Sequence, residues 1–460
     1  MTADIAYLQT LQQPLAELDR LFEAQRAAYA ANPMPPAAQR QQWLKALSDL
    51  LSNERQALIA AISSDFSHRS ADETLLAELM PSLHGIHYAS RHLKGWMKAS
   101  RRKVGMAFQP ASAKVVYQPL GVVGVIVPWN YPLYLAVGPL VGALAAGNRV
   151  MLKLSESTPA TGLLMKELLA RIFPEDLVCV VLGEADIGVA FSRLRFDHLL
   201  FTGATSIGKH VLRAAAEHLV PVTLELGGKS PVIIGRTADF KAAVAKVVVG
   251  KLLNAGQLCV APDYVFVPRE SMDAFIAVAK AVVAGFLPTL KDNPEYTSII
   301  NARHYARLQG YLSEARAAGV ELVELNPAAE DFSQAAHNKV VPTLLRDPGD
   351  ELQVMQDEIF GPLLPVKAYD QLSEVIAFIN ARPRPLALYY FGQDAEEEAQ
   401  VLSRTCSGGV TLNGVLSHAS LDSLPFGGVG QSGMGAYHGI DGFRTFSHAK
   451  AVLRTPQQPA

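Results

Sequence analysis

From Val115 onward the chain repeats one pattern, a short apolar run rich in β-branched residues followed by a stretch with helical spacing. Runs at 122–127, 150–154, 178–182, 198–201 and 222–226 predict strands. They are apolar throughout rather than alternating, the pattern of strands buried on both faces. The helical stretches between them, one opening at Thr158-Pro159 with proline in its first turn, supply the crossovers that a parallel sheet requires. A second series follows, with strands predicted at 232–234, 264–267, 340–344 and 386–391 and helices at 240–253, 272–284, 302–317 and 372–380. The stretch from Val410 to Gly442 is rich in Gly and Ser and reads as a folded loop region. At 460 residues the chain exceeds one small core, so an α/β protein of two or three domains is expected.

The N-terminal third reads as helical core. Leu8, Leu11, Leu15, Leu18 and Phe22 recur at helical spacing, and so do Trp43, Leu47, Leu50, Leu51, Leu58 and Ile62. The stretch 115–148 carries no charge and on that ground alone resembles a membrane span. Pro119, Pro128, Pro132 and Pro139 interrupt it, so it reads as a buried strand, a turn and a buried helix. The first 30 residues lack the basic start and apolar run of a secretory leader. With 41 basic against 43 acidic residues, no nucleic-acid or membrane partner is expected. Cys179, Cys259 and Cys406 are widely spaced, which supports neither a disulfide framework nor a metal site and suits a cytoplasmic protein with free thiols.

Several residues could carry chemistry. Cys259, in G-Q-L-C-V-A-P-D, follows the end of a helical stretch and precedes a strand, a place where catalytic groups concentrate. A lone cysteine is more often inert and buried, and a catalytic one needs a base or local positive potential. Glu225, at the end of an apolar run in T-L-E-L-G-G-K-S-P, is the candidate base; the plainer alternative is an exposed strand-end glutamate. Asn130, in P-W-N-Y-P, is either the N-cap of a helix starting at Pro132 or an amide donor to an oxyanion. F-T-G-A-T-S-I-G-K ends a strand and opens a helix, and Gly203 and Gly208 would let backbone approach a phosphate. It lacks the middle glycine of the dinucleotide fingerprint. Gly428, Gly430 and Gly433 match that fingerprint, but no strand precedes them and no apolar helix follows, so the match fails on context. Lys153 and Glu156, in K-L-S-E at a strand's carboxyl end, suit the ribose hydroxyls of a nucleotide or a plain surface pair. Glu358 and Phe360, in D-E-I-F-G-P, suit a sugar and a flat heterocycle or a surface turn.

Together and in this order, from P-W-N at 128 to P-F-G-G-V-G-Q-S-G-M-G ending at 435, these motifs resemble the aldehyde dehydrogenase superfamily. The ending Q-S-G-M-G-A-Y-H-G with F-S-H resembles the branch of fatty and aromatic aldehyde dehydrogenases, and within it the coniferyl aldehyde dehydrogenases of bacteria. The resemblance implies a Rossmann-like cofactor domain of residues 1–100 and 121–225 and an α/β catalytic domain of 226–430. It also implies a small β bridging element of 101–120 with 431–460 that joins a homodimer. It implies a Cys259 thiolate, an oxyanion site from Asn130 and the Cys259 N–H, and a base at Glu225. For NAD, with NADP possible, it implies contacts from Trp129, Lys153, Glu156, Thr202, Gly203, Gly208, Leu226, Glu358 and Phe360. The substrate it implies is a hydrophobic or aromatic aldehyde; Tyr131, Tyr134 and Tyr437 either line an entrance that would suit it or belong to the core. A thiol esterase on the same fold and a non-catalytic binding protein are the alternatives. Leu154 stands where the family commonly has proline.

Overall fold

The computed structural model describes residues 2–333 and 337–456, with side chains from residue 13. Its six-stranded sheet runs, in spatial order, Gly433–Met434, Val222–Glu225, His198–Thr202, Val122–Ile126, Arg149–Lys153 and Val178–Val181. All neighbours are parallel except the first pair. The chain leaves the central strand Val122–Ile126 toward one edge, then returns to build the other side from His198. A crevice therefore opens at the carboxyl ends of Val122–Ile126 and His198–Thr202, the place where parallel sheets bind ligands. Val123, Val125, Val150, Leu152, Leu199 and Leu200 are fully buried, as strands covered on both faces require.

The seven-stranded sheet runs Glu321–Glu324, Thr343–Arg346, Leu363–Tyr369, Tyr264–Pro268, Pro231–Ile234, Ala387–Phe391 and Gly409–Leu412, antiparallel only at its first pair. A separate antiparallel sheet joins Ser100–Arg102, Ser112–Pro119 and Ser447–Arg454. The strand predicted at 340–344 begins only at Thr343, because Pro342 has no N–H for the ladder. Leu363–Tyr369 escapes the apolar-run test because Pro365 sits inside it. The stretch 410–442 is not all loop: it holds the edge strand Gly409–Leu412, the short strand Gly433–Met434 and the start of a helix, Gly439–Thr445. The uncharged stretch resolves into the end of the strand Ser112–Pro119, the strand Val122–Ile126, a turn and the helix Tyr134–Ala146, which is apolar all round and ends on Gly147 in the left-handed region. Among the described residues no helix is long and apolar enough to cross a membrane. Leu18, Phe22, Leu47, Leu51, Leu58 and Ile62 are core and Leu15, expected there too, is exposed, while Leu8 and Leu11 lie outside the described side chains.

Candidate active site

Three loops meet beside the crevice. The helix Phe240–Leu252 passes into a tight turn, Leu253–Gly256, where Asn254 and Ala255 both adopt φ 51°. Non-glycine residues take this left-handed conformation only when their surroundings enforce it. Here the enforcement is dense. The Asn254 N–H donates to Glu73 (2.9 Å), and its side-chain amide donates to the carbonyls of Asn130 (3.2 Å) and Gln257 (3.1 Å). The Gln257 side chain donates to the Asn254 and Ser298 carbonyls and accepts from the Ile300 N–H, each at 3.0 Å. Two residues later comes Cys259, and the Val260 carbonyl after it accepts from the Tyr389 hydroxyl (2.5 Å).

The Cys259 sulfur does not sit in the positive field a reactive thiolate was expected to need. Burial, then Glu358, then Glu225 push its pKa up to about 12, against a smaller pull from the N–H groups of Cys259 and Val260. These surroundings favour the thiol over the thiolate, so a nearby base would assist its deprotonation.

Asn130 is buried and does not cap a helix, because the helix that follows starts at Tyr134 and not at Pro132. One N–H of its amide is taken by the Gln257 carbonyl (3.1 Å), which fixes the amide toward the cysteine turn and leaves its second N–H to donate elsewhere. The side chain therefore belongs to the cysteine loop, not to a cap.

Glu225 ends its strand fully enclosed, and neither carboxylate oxygen has a hydrogen-bond partner among the described residues. Burial holds its pKa well above the usual carboxylate range. Glu358 is pushed up to about 8, mainly by burial, with the Gly228 N–H pulling the other way. Its close approach depends on Gly227, where a Cβ would stand 2.0 Å from the carboxylate. The loop that carries Glu358 is clamped from both sides. Lys229 pairs with Asp263 and donates to the Val354 (2.7 Å) and Asp357 (2.8 Å) carbonyls, and Asp263 accepts from the Ile359 N–H (2.9 Å). From the other side Arg307 donates to the Ile359 (2.7 Å) and Phe360 (3.4 Å) carbonyls, which holds Phe360 at φ 47°. Arg69, Glu73, Glu78, Lys229, Asp263 and Arg307 are site residues that sequence reasoning missed. Lys229 and Asp263 stood inside the quoted L-E-L-G-G-K-S-P and G-Q-L-C-V-A-P-D; for the others no signal stood out.

The crevice fits a nucleotide. The helix Thr205–Ala216 starts beside Gly203 with Ala204 at its N-cap, so no side chain claims its first N–H groups. Thr202 Oγ1 is buried without a hydrogen-bond partner among the described residues. Lys153 is buried at the end of its strand, donates to the Leu154 carbonyl (2.7 Å) and stands 3.8 Å from the half-exposed Glu156 carboxylate. Gly208 also allows close packing, since a Cβ there would meet the Leu226 side chain at 2.7 Å. Trp129 and Phe360 meet edge to face with centroids 5.4 Å apart.

A cavity of about 760 Å³ leads to Cys259 and Asn130 between walls that include Leu76, Met80, Leu135, Leu253, Leu416 and Phe426. Tyr131 and Tyr134 line it. Tyr437 does not; it is buried, with its ring edge-on to His438 at 4.6 Å. Among the described residues no cluster of His, Cys, Asp and Glu is arranged to hold a metal.

The model of the aldehyde dehydrogenase family matches residues 5–452. A Pseudomonas aeruginosa protein named "Probable coniferyl aldehyde dehydrogenase" is 64% identical over 457 residues, 99% of this chain and 95% of that one. The substrate-bound structure of Staphylococcus aureus AldH superposes with a TM-score of 0.91 at 35% identity, over 96% of this chain and 95% of that one. A Mycobacterium tuberculosis aldehyde dehydrogenase complexed with NAD+ superposes with a TM-score of 0.86 at 28% identity, over 97% of this chain and 92% of that one. A cysteine at the foot of an apolar cavity, two buried carboxyls beside it, a nucleotide crevice and these likenesses agree: the chain belongs to the aldehyde dehydrogenase family, an enzyme that oxidises aldehydes with a nicotinamide cofactor.

Proposed function

We propose that the chain oxidises a hydrophobic aromatic aldehyde, of the coniferyl aldehyde type named for its Pseudomonas relative, to the carboxylic acid through a thioester on Cys259. The observation that carries this reading is the apolar cavity ending at the Cys259 thiol and the Asn130 amide. The Cys259 proton passes to a carboxylate and from it to solvent, and the sulfur bonds the carbonyl carbon while the carbonyl π electrons move onto oxygen. The free N–H of Asn130 and the Cys259 N–H hold that oxyanion. The bound nicotinamide supplies one thing, an acceptor for the hydride that leaves the carbon. Cys259 keeps the acyl group as a thioester. Glu225, whose burial makes its carboxylate a strong base, takes a proton from water. The resulting hydroxide adds to the thioester, the C–S bond breaks and the acid leaves. Glu358 is the second candidate for these proton transfers.

Trp129, Thr202, Gly203, Gly208, Leu226 and Phe360 would form the cofactor crevice, with Lys153 and Glu156 at the adenosine ribose and Glu358 at the nicotinamide end. Glu156 favours NAD over NADP, because its charge opposes a 2′-phosphate. The six-stranded sheet serves the cofactor, the seven-stranded sheet supports catalysis, and the antiparallel three-stranded sheet joins two chains in a homodimer. Cytoplasmic residence is supported by three unpaired thiols. The test is reduced-nicotinamide formation with NAD and with NADP against short aliphatic, long aliphatic and cinnamyl-type aldehydes, beside a Cys259→Ala control. Cinnamyl-type substrates with NAD should give the highest kcat/KM. Turnover that survives in the control, or a preference for short aliphatic aldehydes, would refute this reading.

A further inference from the structure

The short helix Ala71–Thr74 runs directly into a π-helical turn, Leu75–Leu79. π-turns inside helices recur at functional sites because the extra residue re-aims side chains. Here the segment aims two carboxylates inward, Glu73 and Glu78, and both oxygens of each are occupied. Glu73 accepts from the Asn254 N–H (2.9 Å) and the Thr297 hydroxyl (2.5 Å). Glu78 accepts from Arg69 (2.7 Å) with one oxygen and from the Leu133 (2.8 Å) and Tyr134 (3.0 Å) N–H groups with the other. The same Arg69 nitrogen donates to the Asn130 carbonyl (3.1 Å). Its guanidinium lies over the rings of Phe66 (5.1 Å) and Tyr131 (4.6 Å), and the Arg69–Glu78 pair has no solvent exposure. Glu73 thus grips the turn before Cys259, while Glu78 and Arg69 grip the turn that carries Asn130. Leu76 of the same segment and Met80 directly after it form part of the cavity wall.

We infer that residues 69–79 are a brace that sets the spacing of the Asn130 amide and the Cys259 thiol, with Glu73, Glu78 and Arg69 as positioning residues. The inference rests on the proposed oxyanion role of Asn130. A structural pair alone would not need to reach both loops, nor to use every acceptor on both carboxylates. A buried pair is a poor source of net stability, because desolvation offsets its attraction. What it fixes is geometry, and a displacement of about 1 Å at a reacting group costs about a hundredfold in rate.

Glu78→Gln separates positioning from mere support. Glutamine has one acceptor oxygen, so it must release either Arg69 or the Leu133 and Tyr134 N–H groups. The account expects kcat to fall by about ten- to a hundredfold, with KM within about twofold. Alkylation of Cys259 by iodoacetamide, which needs the thiol but no oxyanion site, should keep its wild-type rate. Glu73→Gln should change both kcat and the alkylation rate, because its partner is the cysteine turn. Arg69→Lys, which keeps the buried charge opposite Glu78, should fall between wild type and Glu78→Gln, and it carries the comparison if Glu78→Gln does not fold. Wild-type kcat in folded Glu78→Gln, where Asn130→Ala is impaired, overturns the brace. Wild-type kcat in Asn130→Ala overturns the oxyanion role beneath it.

Discussion

Asn130→Ala tests the oxyanion site with a built-in control, because the structure separates its cost in rate from its cost in stability. Truncation removes one N–H that donates to the Gln257 carbonyl at 3.1 Å and a second that is free for substrate. The Gln257 carbonyl is not orphaned, since it still accepts from Asn254 at 3.1 Å. The backbone carbonyl of residue 130 keeps both Arg69 (3.1 Å) and Asn254 (3.2 Å). The fold therefore loses one neutral hydrogen bond and leaves no buried carbonyl unpaired, a cost of about 1 kcal/mol. The transition state loses an oxyanion donor, which costs about 3 kcal/mol, or a factor of roughly 10²–10³ in kcat. The assay is steady-state formation of reduced nicotinamide at saturating aldehyde, with urea unfolding followed in parallel. A kcat within about threefold of wild type, or a loss confined to KM, refutes the reasoning. So does a stability loss larger than the loss in transition-state binding.

Three further outcomes are expected. Glu225→Gln should keep a burst of one hydride per active site while steady-state turnover falls by roughly 10²–10⁴, as loss of a general base requires; full turnover would move the base role to Glu358. Glu358, pushed up to about 8, keeps a proton in the native state that the unfolded chain sheds near pH 4.5, so this group's contribution to stability is complete below pH 4.5 and is lost as pH rises through 8. Glu358→Gln should flatten that decline in cofactor-free protein, measured as urea midpoints at pH 5 and 8.5; an unchanged slope contradicts it. Lys229→Met leaves the Asp263 carboxylate buried and frees the Val354 and Asp357 carbonyls, so unfolding should cost about 3–5 kcal/mol less. Denaturant melts measure this, and a loss under about 1 kcal/mol would show that the clamp does not hold.

The parallel sheets were legible because strands buried on both faces write themselves as continuous apolar runs. Strands broken by Pro365, delayed by Pro342 or placed at a glycine-rich edge after Gly408 were not, since their residues carry turn signals while their neighbours in space supply the pairing. Cys259, Glu225 and Asn130 were legible as motifs. The sense of the electrostatics around Cys259 was not: the two carboxyls that raise its pKa, Glu358 and Glu225, are distant in sequence and reach it only through the fold. Arg69 and Glu78 were hidden for the same reason, because each reads as an ordinary charge until the turn at Asn130 folds onto it.

The central claim is the thioester on Cys259. Glu225→Gln, mixed with NAD and a cinnamyl-type aldehyde and quenched in acid, is digested and its peptides weighed by mass spectrometry. The account predicts that the peptide containing Cys259 gains the mass of the acyl group less one hydrogen, with one reduced nicotinamide formed for each adduct. Reduced nicotinamide without that adduct, or an adduct on Cys179 or Cys406 instead, would contradict it.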